Sequence, residues 1–318
     1  LAVSSSKYID MSVRPTDTLD VVIVNFNAGK ILTECITSVL RSELTTRVTV
    51  VDNLSTDGSL GLVRKKYGHD QRLVVRCERS NLGFARASNL AAAEGCAPYI
   101  LFLNPDCIIS TGTLERLIPF METNPRIGMC GCLIQDPNGR EQSASRRLIP
   151  DPWIGLRHVL ATEGGLRLLP GTRNLDLTTG PIPSAPIEVE AISGALMLVR
   201  RTAMEEVGML DDGYFLHCED LDWFVRFRQH GWAIYFIPDT YAIHHKGVCS
   251  AGRPMRVEWH KHRGMIRFFR KFQSQGHSVF FNGLVESGIW LHCLLAITRT
   301  FISRQIRMLV RRYRHLTR

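Results

Sequence analysis

The sequence predicts an α/β fold with a doubly wound, mostly parallel sheet, and three observations support this prediction. Short apolar runs rich in β-branched residues recur from residue 19 to about residue 125. Segments with apolar residues at helical spacing separate these runs, an alternation that is typical of parallel strands joined by helices. Polar residues directly follow the runs, and sheets of this kind bind ligands beyond the carboxyl ends of their strands.

The elements are predicted in chain order from their apolar pattern. A strand is expected at 19–25, a continuous apolar run of the kind that is buried on both faces of a sheet. A helix is expected at 30–41, because its apolar residues share one side. The same arguments predict strands at 48–52, 73–76 and 99–103 and helices at 62–67 and 85–95. An irregular segment rich in Pro and Gly at 136–186 precedes a strand-like run at 189–199 and a strand at 234–237.

The composition is that of a globular protein with an anionic partner. Hydrophobic residues make up 45% of the 318 residues and charged residues 22%, which is enough for a sizeable core. The net charge of +9 indicates a nucleotide, a nucleic acid or an acidic membrane surface as partner. The nine cysteines lack C-x-x-C and zinc spacing, so we expect reduced, mostly buried thiols in a cytosolic environment. Residues 1–18 are polar, and we expect no signal peptide there.

Six short motifs occur in a fixed order and carry a family resemblance. They are VIVNFN at 22–27, VDNLSTDGS at 51–59, NLGFARASN at 81–89, LNPD at 103–106, SGALMLVR at 193–200 and EDLDWFVR at 219–226. In this order they resemble the family 2 glycosyltransferases of the GT-A fold, above all the bacterial rhamnosyltransferase-like members. The resemblance implies a GT-A domain at 19–272, an N-terminal tail at 1–18 and a C-terminal tail at 273–318.

The resemblance assigns a nucleotide-sugar donor to residues near the strand ends. An Asp at the position of Asp52 accepts a hydrogen bond from the nucleobase in this family, whereas the residue type by itself also fits a turn. The other residues assigned to the donor are Asn25, Asn27, Asn81, Gly83, Arg86, Asn104 and Gly194. For Arg86 and Asn89 the alternative is a helix start without donor contact, although helix N-termini favour phosphate. Asp57 is predicted to cap a helix beside Ser59.

Asp106 corresponds to the metal-binding Asp of the family. A departing diphosphate needs charge neutralisation, which Mg²⁺ or Mn²⁺ bound by carboxylate and phosphate oxygens supplies. Asn104 stands where most members have a first Asp, so this chain has one carboxylate fewer at the site. His244 or His245 is expected to contact the metal or the diphosphate, and the alignment leaves both open. Lys246 fits either a phosphate contact or an exposed lysine.

The motif at 219–226 concentrates negative charge at the start of a predicted helix. Asp220 matches the catalytic base of the family, the group that takes the proton of the acceptor hydroxyl in an inverting transferase. A single in-line displacement then inverts the anomeric carbon. Glu219 is expected to orient Asp220 or to contact the acceptor. Asp222 and Arg226 lie one helical turn apart, and we expect a salt bridge between them.

The tail at 273–318 has the pattern of a basic amphipathic helix. Its apolar side comprises Leu291, Leu295, Ile302, Ile306, Leu309 and Tyr313, and its basic side Arg304, Arg307, Arg311, Arg314 and Arg318. This pattern predicts attachment to an anionic membrane surface. The alternative is a helix docked on the enzyme or on another subunit. The apolar run at 289–298 is too short to span a bilayer, which takes roughly 20 residues.

The sequence therefore predicts an inverting, metal-dependent glycosyltransferase of cell-surface polysaccharide synthesis. By resemblance the leading donor is dTDP-rhamnose, ahead of a UDP-linked sugar. The leading acceptor is a lipid-linked saccharide at the cytoplasmic face of the membrane, where we expect a peripheral enzyme. An inactive scaffold that binds sugar nucleotide or membrane is the alternative, and intact Asp52, Asp106 and Asp220 argue against it. Nucleic-acid binding is disfavoured, because the basic residues concentrate in the tail without stacking aromatic residues.

Overall fold

The first four strands form the parallel sheet that the sequence predicts. The computed structural model of the chain describes residues 18–151, 175–249 and 252–316 and, of the side chains, those up to residue 306. The strands are β1 (Leu19–Asn25), β2 (Thr45–Asp52), β3 (Leu73–Cys77) and β4 (Tyr99–Leu103). They pair in parallel in the order β3-β2-β1-β4, so their carboxyl ends share one edge of the sheet.

The second half of the chain extends this sheet with strands of both directions. It adds β5 (Cys107–Ile109), β6 (Ile127–Gln135), β8 (Ile187–Glu188), β10 (Leu196–Arg200) and β11 (Ala233–His244). β10 lies antiparallel between β4 and β6, and β11 is parallel to β6. Only β5, β8 and β10 run against the others among the nine strands of the described sheet, which is mostly parallel as predicted. β7 (Arg146–Arg147) and β9 (Ala191–Ile192) form a separate pair.

Helices cover both faces of the sheet. On one face lie α1 (Ile31–Leu40), α2 (Ser59–Tyr67) and α4 (Thr113–Glu122). On the other lie α3 (Phe84–Ala93), α5 (Arg201–Val207), α6 (Glu219–Gln229) and α7 (Pro254–Phe272). Alternate residues of β1 point to opposite faces, so Val21 packs with α1 and Val22 with α3. This double burial explains the continuous apolar runs and confirms the doubly wound prediction.

A last helix, α8 (Val279–Leu316), packs back along α7. Val285 and Ile289 of α8 are buried against Ile266 and Phe269 of α7. The predicted helical tail is present, and its first half docks on the enzyme. By length and composition, Val279–Ile306 is also long and apolar enough to cross a membrane, contrary to the expectation drawn from the run at 289–298.

The run at 189–199, predicted as one strand, is divided between two sheets. β9 pairs with β7 and β10 pairs with β4, and the chain turns between them. The hydroxyl of Ser193 accepts a hydrogen bond from the backbone N–H of Ala195 at 3.2 Å in this turn. The apolar composition of the run did not indicate this turn, because the turn goes with a long-range contact that the local sequence does not reveal. A Cβ on Gly194 would lie 2.9 Å from Oδ2 of Asp220.

The strand predicted at 234–237 is much longer, because it continues past Pro238. Its register with β6 shifts between Ile237 and Tyr241. Such a bulge accommodates a proline, which has no N–H for the ladder. β11 thereby extends to His244. The other predicted elements differ from the structure at their ends only, by three residues at most.

The described parts of the segment at 136–186 are irregular, as predicted. Their regular elements are β7 and a 3-10 turn at Leu177–Thr179. Arg146 holds these parts together through an ion pair with Glu141 at 2.9 Å and hydrogen bonds to the carbonyl groups of Gly180 and Pro181, both at 3.0 Å. Residues 152–174, and the N-terminal tail at 1–17, lie outside the described residues.

The cysteines are free thiols, as predicted. Cys35 and Cys293 are buried, whereas Cys77 and Cys96 are exposed. Burial raises the pKa of Cys132 to about 12, so this thiol is neutral at physiological pH.

Candidate active site

Asp52 is buried at the end of β2 and is held from two sides. Nδ2 of Asn25, at the end of β1, donates to Oδ1 at 2.7 Å, and the backbone N–H of Ser55 donates to Oδ2 at 3.0 Å. Asp52 therefore closes a turn, as its residue type indicates. Each carboxylate oxygen keeps a second lone pair, so this turn is compatible with a nucleobase contact. Asn25 itself is fully buried, which favours positioning of Asp52 over the predicted donor contact.

The loops that follow β1 and β2 are tied together beside Asp52. Oδ1 of Asn27 accepts from the backbone N–H of Thr56 at 2.7 Å, and Oδ2 of Asp57 accepts from that of Gly29 at 2.6 Å. Asp57 also accepts from the backbone N–H and the hydroxyl of Ser59, the first residue of α2, although Gly58 and not Asp57 occupies the N-cap position of that helix. Burial of Asp57 opposes ionisation, but these hydrogen bonds outweigh it and lower the pKa of the carboxyl.

Gly83 lies where the loop before α3 meets the loop before α6. Its φ is +83°, and a Cβ there would lie 2.4 Å from the carbonyl oxygen of Phe215, so only glycine fits. Asn81 accepts a hydrogen bond from the N–H of Gly83 at 2.9 Å, and Asn53 donates to its carbonyl at 3.1 Å. Asn81 and Gly83 thus shape the loops at the carboxyl edge of the sheet, together with Asn53, which follows Asp52 in its motif and was not assigned a role.

Arg86 and Asn89, on α3, have different surroundings. Arg86 is exposed and has no ion pair within the part of the chain that the structure describes, so its guanidinium is available to an anion. Asn89 exchanges two hydrogen bonds with the backbone of Leu210, at 2.8 and 3.2 Å. These hydrogen bonds favour a structural role for Asn89 over the predicted donor contact.

Asp106 and the end of β11 form the candidate metal site. Asp106 is buried, and its Oδ1 lies 3.2 Å from Nε2 of His244. His245 contributes its backbone N–H, which donates to the carbonyl oxygen of Asp106 at 2.8 Å. Of the two candidate histidines, the structure brings the ring of His244 to Asp106. Lys246 is exposed beyond them.

Gln142 orients His244. Its side-chain amide donates to the carbonyl oxygen of His244 at 2.6 Å, so its Oε1 faces Nδ1 of the same ring at 3.0 Å. Nδ1 then carries the ring proton, and the lone pair of Nε2 is directed at Asp106. Two electron-pair donors at this distance are stabilised by a cation between them, which is either a proton or a metal ion.

The donor set fits a metal that arrives with a phosphate ligand. No group of three or more His, Cys, Asp or Glu side chains that could hold a metal ion is present in the described ranges. Asp106 and His244 provide two donors. Mg²⁺ is commonly held by one or two protein ligands, with substrate phosphates and water completing its coordination. The two residues therefore fit a cation shared with a diphosphate better than a permanently enclosed one.

Two further side chains border Asp106. The amide of Asn104 lies 3.5 Å from Nε2 of His244. Burial and the carboxylate of Asp106 raise the pKa of Cys249 to about 12, so its thiol is neutral beside the site.

Asp220 lies at the start of α6 and forms an ion pair. Oδ2 of Asp220 is 2.6 Å from a guanidinium nitrogen of Arg147, and both side chains remain partly exposed. Gly194 allows the carboxylate to approach the turn between β9 and β10. The backbone N–H of Asn104 donates to the carbonyl oxygen of Ala195 in the same turn, at 2.9 Å. These contacts bring the candidate base and the Asp106 site to one edge of the sheet.

Glu219 is buried next to Asp220. Burial, and then the negative charge of Asp220, raise the pKa of Glu219 to about 8, and Oε2 has no hydrogen-bond partner among the described residues. The two preceding residues, His217 and Cys218, have φ values of +68° and +70°. Such left-handed non-glycine residues often mark functional sites. Downstream, Asp222 forms the predicted salt bridge with Arg226, at 2.6 Å.

Comparison with known proteins decides the family. Residues 20–208 match the family described as Glycosyl transferase family 2, which is more than half of the chain. The chain belongs to this glycosyltransferase family. The match covers Asp52, Asp106 and Gly194, whereas His244 and Asp220 lie beyond it.

The relatives include rhamnosyltransferases. The chain is 30% identical to N-acetylglucosaminyl-diphospho-decaprenol L-rhamnosyltransferase of Mycobacterium tuberculosis over 256 residues, 75% of this chain and 79% of that protein. It is 29% identical to rhamnosyltransferase WbbL of Escherichia coli, over 51% of this chain and 61% of that protein. It is 25% identical to dTDP-rhamnosyl transferase RfbF of Shigella flexneri, over 78% of this chain and 76% of that protein. The chain is thus a rhamnosyltransferase-like member of the family.

Solved structures confirm the GT-A fold. Mannosyltransferase PcManGT from Pyrobaculum calidifontis, in complex with GDP-Man and Mn²⁺, has a TM-score of 0.54 at 15% identity, over 94% of this chain and 79% of that one. GalNAc-T7 with UDP, GalNAc and Mn²⁺ has a TM-score of 0.54 at 18% identity, over 71% of this chain and 43% of that one. At these identities the likeness concerns the fold alone.

Proposed function

We propose that this glycosyltransferase is an inverting, metal-dependent rhamnosyltransferase that uses dTDP-rhamnose and a lipid-linked saccharide. The names of two relatives support the substrates: one is a dTDP-rhamnosyl transferase, and the other acts on a decaprenol-linked diphospho-saccharide. The observation that carries the reaction is the convergence of Asp220 and the Asp106–His244 pair on one edge of the sheet. We assign the catalytic domain to residues 19–272.

Asp220 is the catalytic base. Its carboxylate takes the proton of the acceptor hydroxyl while the hydroxyl oxygen forms a bond to the anomeric carbon of the sugar. The bond from that carbon to the diphosphate breaks, and the diphosphate leaves with the electron pair. Attack from the face opposite the leaving group inverts the anomeric carbon. Arg147 orients the carboxylate through its ion pair, and Glu219, largely protonated at neutral pH, is able to donate a hydrogen bond to the acceptor.

The other edge residues hold the donor. Asp106 and His244 would bind Mg²⁺ or Mn²⁺, and the cation would supply charge neutralisation for the departing diphosphate. Arg86, exposed on the first turn of α3, would meet the phosphates near the N-terminus of that helix. Asp52 would accept a hydrogen bond from the thymine imide N–H, while Asn27, Asn81 and Gly83 shape the surrounding loops.

The tail at 273–318 attaches the enzyme to the cytoplasmic face of the membrane, near a lipid-linked acceptor. Exposed apolar side chains on α8 support this part of the proposal: Leu291, Ile302 and Ile306 are each at least half exposed. Unpartnered apolar surface of this kind is typical of membrane or protein contact.

The variant Asp220→Asn tests the proposed base. The amide keeps the shape of the side chain, and its oxygen can still accept from Arg147, so donor binding should be unchanged. Transfer of rhamnose should fall by roughly 100-fold or more, because the amide cannot take the proton. Asp212→Asn, which changes an exposed carboxylate eight residues earlier, is the matched control and should transfer normally. Near-normal transfer by Asp220→Asn would exclude Asp220 as the base.

A further inference from the structure

α7 and the first half of α8 form a helical hairpin. Nε2 of His262 lies 2.8 Å from Nδ1 of His292, and Arg270 forms an ion pair with Glu286 at 2.5 Å. Cys293 is buried one residue further along. These contacts, together with the buried pairs described above, hold α8 to α7 as far as Cys293.

A groove opens along one side of this hairpin. It has a volume of about 570 Å³ and is lined by indole rings and cationic side chains. Trp259 of α7 and Trp290 of α8 face each other at its wall, with ring centroids 4.8 Å apart, and both are exposed. The cationic lining residues are Arg263, Arg267, Arg270 and Lys271.

The groove has an excess of positive charge. Arg267 and Lys271 share Asp211, each at 2.8 Å, Lys271 also pairs with Asp222 at 2.6 Å, and Arg270 is paired with Glu286. Arg263 is exposed and has no ion pair in the part of the chain that the structure describes. An anion that enters the groove therefore meets a guanidinium that is not already neutralised.

The side of α8 that faces away from α7 is apolar and exposed. Phe280, Leu291 and Leu294 are 83%, 56% and 62% exposed. A helix with one apolar exposed side, flanked by cationic groups, is typical of attachment in the plane of a membrane surface. Tryptophan is enriched at this depth, because its ring is apolar and its N–H polar.

We propose that the groove between α7 and α8 binds the phosphate headgroup of an anionic phospholipid while α8 lies in the headgroup plane. Arg263 pairs with the phosphate, and the two indole rings contact the glycerol and the first acyl carbons. This inference deepens the proposed membrane attachment and rests on it. It assigns the recognition of lipid to a defined groove in addition to the basic end of the tail.

The hairpin geometry also argues for a surface orientation of α8. If α8 crossed the bilayer along its whole apolar length, Arg263, Arg267 and Arg270 would be drawn into hydrocarbon with it, at high cost. The part beyond the hairpin, residues 294–306, extends only about 20 Å as a helix, whereas the hydrocarbon core is about 30 Å thick. The docked half of α8 therefore stays at the surface.

A soluble phospholipid tests the groove without a membrane. The full chain is titrated with dihexanoyl phosphatidylglycerol below its micelle-forming concentration, with tryptophan fluorescence as the signal because Trp259 and Trp290 line the groove. We expect saturable binding of this lipid and much weaker binding of dihexanoyl phosphatidylcholine, which has no net charge. Inorganic phosphate should also bind more weakly, because it has no groups that contact the indole rings.

Two matched variants separate the groove from general charge attraction. Arg263→Gln should weaken phosphatidylglycerol binding about fivefold, the change that corresponds to about 1 kcal/mol for one cation near an anionic surface. Arg256→Gln removes the same charge from an exposed position on α7 outside the groove and should bind as the wild type does.

The outcomes that overturn the proposal are distinct. Equal losses in both variants, or flotation with phosphatidylglycerol-containing vesicles without binding of the soluble lipid, would indicate diffuse attraction. Equal binding of inorganic phosphate would indicate a general anion site. Rhamnose transfer to the lipid-linked saccharide acceptor, presented in uncharged detergent, is measured in parallel. Transfer without lipid binding removes only this inference, and lipid binding without transfer removes only the proposed function.

Discussion

Glu219 and Asp220 are adjacent in the sequence but lie in different surroundings. Asp220 meets Arg147 at a partly exposed edge, whereas Glu219 is buried and has an oxygen without a partner among the described residues. The pKa of Glu219 is raised to about 8, so a large fraction of this carboxyl is protonated at neutral pH. A protonated carboxyl can donate a hydrogen bond, whereas a carboxylate can only accept one. This difference supports the roles proposed above, in which Asp220 takes the proton of the acceptor hydroxyl and Glu219 donates a hydrogen bond to the acceptor.

Replacement of Glu219 by Gln should flatten the pH dependence of stability. The folded-state pKa of about 8 lies above the ordinary value of 4.5, so the folded state binds more protons between these pH values. The stability contributed by protonated Glu219 is fully present below pH 4.5 and is lost as the pH rises through about 8. As the pH rises from 4.5 to about 8, the Tm of the wild type should fall more than the Tm of Glu219→Gln. Glu205→Gln, an exposed control, should follow the wild type. Parallel curves for wild type and Glu219→Gln would contradict the raised pKa.

Motifs predicted the acidic residues of the site but not the residues that position them. Asp106 and Asp220 stand in recognisable motifs at element ends. Gln142 and Arg147 lie in the irregular segment, where no periodicity indicates which side chain points inward. The choice between His244 and His245 required the register of β11, which places His244 opposite Cys107 and so beside Asp106. Such long-range pairings are set by tertiary packing.

Among the elements, the α7–α8 hairpin shows which part of the tail follows the docking alternative. The first half of α8 docks on the enzyme through Val285 and Ile289. Ile302 and Ile306, further along, are exposed and fit a membrane surface. The apolar pattern is similar in both halves, so only the position of α7 reveals where docking ends.

Ile289→Ala should loosen the hairpin. Removal of a buried isoleucine side chain typically costs about 2–5 kcal/mol, through lost burial and the cavity left behind. We expect faster amide hydrogen exchange across 279–293, with donor binding unchanged. Ile302→Ala makes the same change at an exposed position of the same helix and should exchange as the wild type does. If both variants exchange alike, the docking contact is not the one that holds α8.

The strands also show how far the local apolar pattern can predict structure. Runs buried on both faces, such as β1, were predicted within three residues of their ends. The break between β9 and β10 was missed, because the close contact at Gly194 comes from Asp220 on a helix distant in sequence. The continuation of β11 was missed because Pro238 normally ends a strand, and here a bulge accommodates it.

In the molecule as a whole, the alternation of strand and helix predicted the parallel half of the sheet, but it did not predict the other half. β10 inserts antiparallel between β4 and β6, a pairing between segments far apart in sequence. The net charge of +9 indicated an anionic partner without locating it. The structure separates two candidate anion sites: the donor edge with Arg86, and the groove with Arg263.

We propose that the carboxyl edge of the sheet binds a nucleotide sugar through a cation held by Asp106 and His244. Calorimetric titration of the full chain with dTDP-rhamnose, in Mg²⁺ and in chelator, measures this binding. We predict binding in Mg²⁺ that weakens at least about tenfold both in chelator and in Asp106→Ala, in line with the loss of a metal ligand. Asp239→Ala, which removes an exposed carboxylate paired with Arg116, should bind normally. Equal affinity with and without metal, or in Asp106→Ala and wild type, would contradict the claim.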